Sequence, residues 1–246
     1  MIRLKGIEQH PRYSNAGHII EGFNRYLLNR NYRLITMNVI AESYSKFRDP
    51  NNLVNEAIEE VKLVENVDMI EDDEFLEFKK LIVSFISSEN DMNNHRGTLF
   101  EQIIRNHGPE STFTSYLPQQ NSLEVARIYC ETSNYNNGNC QKNVDIVFFD
   151  KGKKVHQDCF DVFQFIAYEI KCNINNFIKG IKKSTKISND PIHNNNFAKL
   201  VYLKEMSEHF GENGKVFICT LNSIRAEHKS FFIEHKLDII QIYEPI

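Results

Sequence analysis

The segment Phe163-Gln164-Phe165-Ile166-Ala167-Tyr168-Glu169-Ile170-Lys171-Cys172 constrains the fold more than any other part of the chain. Side chains on a strand alternate between faces, and Phe165-Ile166-Ala167-Tyr168 is apolar on both. A strand of that kind has to be covered on both sides, which predicts a buried strand in a layered sheet. The run then ends in charge. Glu169 and Lys171 project to one face, while Tyr168, Ile170 and Cys172 project to the other. Charges at the end of a buried strand need partners.

A partner is offered by a second apolar run, Val144-Asp145-Ile146-Val147-Phe148-Phe149, which Asp145 opens. A carboxylate and an ammonium two residues apart, facing a carboxylate from a neighbouring strand, can hold a hard divalent cation and activate water beside it. Phosphodiester cleavage needs this chemistry. Mg²⁺ takes oxygen ligands in near-octahedral geometry, and Asp145, Glu169 and the backbone carbonyl of Ile170 are the candidate ligands. Lys171 is placed to orient the attacking water and to offset charge that builds on the phosphorus centre.

Asp145 and Glu169-Ile170-Lys171, preceded by Arg96-Gly97-Thr98-Leu99-Phe100-Glu101, resemble the PD-(D/E)xK nuclease superfamily of restriction endonucleases, junction resolvases and anti-phage effectors. The match runs from about His95 onward, and Asn143-Val144 stands where a Pro often precedes the Asp. The resemblance implies an α/β, restriction endonuclease-like core, a central mixed sheet flanked by helices. It also implies a Mg²⁺ cofactor, with Mn²⁺ as a substitute, and products with a 5′-phosphate. Glu101 would join Asp145, Glu169 and Lys171 as a catalytic residue and support the metal from its helix, which Gly97 would allow to approach the strands closely. Type II restriction of DNA by a homodimer is the expected activity. Two alternatives stay open: an anti-phage effector switched on by a partner or small molecule, and a degenerate nuclease fold used as a binding module.

The pass along the chain predicts an N-terminal helical region, residues 1–92, before a nuclease core, residues 93–246. Apolar stripes place helices over Ile19–Leu27, Arg33–Phe47, Leu53–Val64 and Phe75–Ile86, the last capped by Asp72 or Asp73. Asn90-Asp91-Met92-Asn93-Asn94 reads as a linker and His95–His107 as a helix. Strands are expected at Ser122–Cys130, Val144–Phe149 and Val162–Cys172, with turns at Asn134–Asn139 and Lys151–Lys154. Helix Asn195–Phe210, strand Lys215–Thr220, helix Ser223–His235 and strand Leu237–Tyr243 complete the order. Lys179, Lys182, Lys183 and Lys186, beside the proposed site, are either a nucleic-acid contact or a solvated loop.

A net charge of −4 provides no global basic signature, though carboxylates in a site can mask a local basic groove. Cys130, Cys140, His156 and Cys159 fit no usual zinc spacing. The odd number of cysteines, five, reads as free thiols of a cytoplasmic protein. No apolar run approaches the ~20 residues of a membrane span, and the first residues lack the apolar core of a signal peptide.

Overall fold

The computed structural model describes residues 2–7, 17–43, 49–69, 71–107, 122–130, 143–149, 152–156, 159–188 and 195–243. The chain forms two compact units, Met1–His10 with Arg105–Pro245, and Pro11–Ile104. The second unit is inserted in sequence within the first.

The helical unit contains α1 (Gly17–Asn24), α2 (Arg30–Glu42), α3 (Pro50–Glu65), α4 (Asp73–Ser87) and most of α5 (Glu89–His107). Two aspartates start its helices: Asp49 Oδ1 accepts from Asn52 N at 3.0 Å, and Asp72 Oδ1 from Phe75 N at 2.8 Å. Asp49 and Pro50 thus open a helix, as an N-cap and first-turn Pro do. Aromatic rings fill the interior. Tyr32 stacks on Phe78 at 4.5 Å between centroids, and Phe23 meets Phe85 edge-on at 5.5 Å. The expected linker Asn90–Asn94 is part of α5, a polar helical stretch with too few apolar residues for a visible stripe.

The other unit is α/β, built on an eight-stranded mixed sheet in the order β4-β5-β1-β2-β3-β6-β7-β8. The strands are β1 (Ile2–Ile7), β2 (Ser122–Cys130), β3 (Val144–Phe148), β4 (Gly152–His156), β5 (Cys159–Val162), β6 (Phe165–Lys171), β7 (Gly214–Thr220) and β8 (Gln241–Tyr243). Pairing is antiparallel from β4 through β6, then parallel from β6 to β8. The helices α6 (Ile174–Ser188), α7 (Asn195–Phe210) and α8 (Ala226–Glu234) supply Ile174, Ile178, Ile181, Leu203, Met206 and Phe231 to one core with Leu4, Val147, Ala167 and Val216 of the strands.

Four expectations need correction here. Residues 1–92 are not helical throughout, because Ile2–Ile7 forms a strand between β5 and β2. Lys151–Lys154 is not simply a turn: Gly152 onward is an edge strand whose side chains are mostly exposed, and solvated lysines suit an edge because they discourage further pairing. The single strand Val162–Cys172 is two, interrupted at Phe163, which is 76% exposed. Between β5 and β6 in the sheet stand β1, β2 and β3. Finally, the lysine-rich stretch after β6 is not a loop but α6, its buried Ile174, Ile178 and Ile181 spaced as one helical face. The predicted Asn134–Asn139 turn and Cys140 lie outside the described residues.

Asn175 fastens the start of α6 to the segment before α8. Its Nδ2 donates to Ser223 O at 2.9 Å, and its Oδ1 accepts from Arg225 N at 3.0 Å. That oxygen also lies 2.8 Å from Nδ1 of the buried His228, so the ring donates from Nδ1. Burial and the nearby Lys182 ammonium push His228 below the usual histidine range.

Candidate active site

The register of two strands builds the site. Ile146 pairs with Tyr168 and Val147 with Ala167 across β3 and β6, which continues to Asp145 opposite Glu169, on the sheet face of Val147 and Ala167. These two apolar side chains belong to the core shared with the helices. The carboxylates therefore stand where that core ends.

Asp145 is half-buried, and its Oδ2 accepts the backbone N–H of Ile170 at 2.7 Å. Glu169 is only 4% exposed. Lys171 Nζ lies 2.7 Å from Glu169 Oε1 and 3.6 Å from Asp145 Oδ2, and it donates to Ile170 O at 2.9 Å. One ammonium thus touches both carboxylates and the carbonyl between them. The stem of Lys171 also brings its charge over the Phe177 ring at 5.6 Å.

A fourth charged group completes the cluster, and the sequence reading missed it. Lys199 of α7 places Nζ 2.7 Å from Glu169 Oε2, with its side chain 12% exposed, and donates to the backbone carbonyl of Asn143. Burial, then the charge of Asp145, pushes the Glu169 carboxyl above its ordinary range, against the downward pull of Lys171 and Lys199. Two carboxylates and two ammoniums share the site, so their formal charges cancel.

The structure brings together Asp145, Glu169, Lys171 and the main chain of Ile170. Glu101 is half-buried on α5 in the helical unit, whereas the four charged groups of the cluster all belong to the sheet unit. A Cβ added at Gly97 meets nothing within 4 Å among the described residues. Of the lysines on α6, Lys179 is exposed, while Lys182 donates to Glu227 O at 3.3 Å and lies 5.6 Å from the Phe231 ring centroid. Lys182 is thus engaged with α8. The side chains of Lys183 and Lys186 lie outside the described residues.

The donor chemistry fits a hard divalent ion. Two carboxylates and one carbonyl converge on a point already occupied by positive charge, and oxygen is the ligand such ions prefer. Among the described residues no group of three His, Cys, Asp or Glu side chains gathers to hold a metal, so protein oxygens would fill only part of a coordination shell. That is the usual arrangement for Mg²⁺, which retains waters and takes substrate phosphate. Among the described residues no soft ligand set competes: Cys159 and Cys219 are buried free thiols, and burial pushes the Cys219 thiol up.

No protein-family model matches the chain, and a search of curated proteins finds no significant match. Among the described residues no helix is long and apolar enough to cross a membrane.

Proposed function

We propose that this protein is a Mg²⁺-dependent endonuclease that hydrolyses phosphodiester bonds in DNA. The observation that carries the reading is the placement of Asp145 and Glu169 on adjacent strands, bridged by Lys171. Asp145, Glu169 and the carbonyl of Ile170 would hold the ion. When bound, a hard divalent ion supplies Lewis-acid polarisation of a phosphoryl oxygen and makes water more acidic.

The residues of the chain do the rest. The hydrogen bond from Ile170 N holds the Asp145 carboxylate in one orientation before the substrate arrives. Lys171, tethered beside both carboxylates, orients the attacking water and offsets the charge that develops at phosphorus. The raised Glu169 carboxyl and its two lysines are the kind of perturbed, convergent group that marks functional sites. Lys179, exposed on α6, contributes to contact with the phosphate backbone.

The resemblance to PD-(D/E)xK nucleases supports type II restriction as the biological setting, with a homodimer cutting the two strands and a cytoplasmic location. The test is cleavage of supercoiled plasmid DNA in Mg²⁺, with an EDTA control and a structured RNA in parallel. Discrete DNA fragments support restriction. Smearing, or cutting only with an added activator, points to a defence effector. Full activity in EDTA, or no cleavage of either nucleic acid with any activator, overturns the nuclease reading.

A further inference from the structure

Glu169 is almost sealed from water, and each of its oxygens faces an ammonium at 2.7 Å, Lys171 on Oε1 and Lys199 on Oε2. The two lysines are anchored differently. Lys171 shares the strand of Glu169 and is also held by Ile170 O and Asp145. Lys199 reaches in from α7, and its second partner is the carbonyl of Asn143, which is not a group of the proposed metal set. The cluster is neutral as it stands. Adding a divalent ion while both lysines stayed would put two uncompensated positive charges in a poorly solvated place, next to two ammoniums, and like charges at short range in low dielectric repel strongly.

We propose that Lys199 is the resident counter-cation of Glu169, and that a divalent ion gains Glu169 Oε2 only by displacing it. The inference rests on the metal-site reading above. Its consequence is that Lys199 sets the metal affinity of the substrate-free protein and keeps it low. Once displaced, the ammonium on its four-carbon stem is free for another anion, and an incoming phosphodiester is one. Metal and substrate then assist each other's entry through a single side chain, a coupling that is reciprocal by necessity.

The experiment is a Mn²⁺ titration of the full chain without nucleic acid, followed by the EPR signal of the free ion, for wild type, Lys199→Met and Lys199→Gln. The glutamine keeps a polar group at the position without the charge, so it carries the test if the methionine variant does not fold, as judged by circular dichroism. Removing the competitor is expected to tighten Mn²⁺ binding by roughly tenfold or more, and adding Glu169→Gln to Lys199→Gln should abolish the gain. Equal or weaker binding in a folded Lys199→Gln variant overturns the proposal and leaves the metal site standing. No Mn²⁺ binding by wild type or either variant overturns the metal reading, and this inference with it.

Discussion

Asp145 is joined to Ile170 by a hydrogen bond from main chain to carboxylate: Oδ2 accepts the N–H at 2.7 Å. The link fastens a side chain of β3 to the backbone of β6 and sets the carboxylate beside the Ile170 carbonyl region that Lys171 also reaches. An amide in place of the carboxylate can keep that bond through its oxygen but is a far poorer ligand for a hard cation. Structure and metal binding can therefore be separated at this position.

The first expectation follows from that separation. Asp145→Asn should lose DNA cleavage by orders of magnitude while its thermal midpoint stays close to wild type, and Asp145→Ala and Glu169→Ala should also be inactive. Plasmid cleavage and a thermal melt on the same preparations check it. Wild-type rates in any of the three would refute the assignment.

The metals should divide binding from cutting. Ca²⁺ is coordinated at longer, looser distances than Mg²⁺, so it should allow the protein to retain a DNA duplex in a gel shift with little product, whereas Mg²⁺ or Mn²⁺ should give cutting. Lys171→Ala in Mg²⁺ should behave like wild type in Ca²⁺, because both carboxylates remain. Cutting by Lys171→Ala at the wild-type rate would sink the role given to that lysine.

Stability should depend on pH through His228. Its neutral form is favoured in the fold by burial and by Lys182, with Lys179 and Arg225 acting the same way and Glu227 opposing. Above the ordinary histidine value of ~6.5 the ring is neutral in both states, and its full contribution is present. As the pH falls through that value the unfolded chain takes up the proton first, so stability is lost until the depressed folded value is passed. Thermal midpoints of wild type and His228→Gln should differ most near neutral pH and draw together in mild acid. A difference that is constant across that range would contradict this.

Gly214 offers a test of the parallel half of the sheet. A Cβ there would lie 2.5 Å from both Phe165 Cζ and Phe210 Cβ, a clash that forces ring and backbone to shift. Overpacking of this kind typically costs about 1–3 kcal/mol. Urea unfolding of Gly214→Ala should show a loss of that size, and an unchanged midpoint would mean that the approach of β7 to these rings is looser than described.

What could be read in advance was whatever is written locally. β3 and β6 are legible because apolar runs with strand alternation admit few other structures, and the shared face of Glu169 and Lys171 follows from their spacing alone. β1 carried a usable alternation, with buried Ile2 and Leu4 on either side of Arg3, yet six residues cannot announce partners as distant as Tyr129 and Asp161. β4 is polar because it is an edge. The Ile174, Ile178 and Ile181 stripe was present but overshadowed by the lysines between and after its members. Lys199 had no local signal at all. One lysine in a helix becomes part of a site only when tertiary packing carries α7 to the end of β6.

The position of β1 also bears on how the protein is made. Its neighbours in the sheet begin at Ser122 and Cys159, so on the ribosome the strand emerges first and waits for both. The helical unit, contiguous from Pro11 to Ile104, is fully synthesised before either partner exists. Contacts of such long sequence separation form slowly, and domains generally fold as units during synthesis. On these grounds the inserted helices are expected to acquire their aromatic interior first, and the sheet, with Asp145 and Glu169 in it, to close around a strand translated long before.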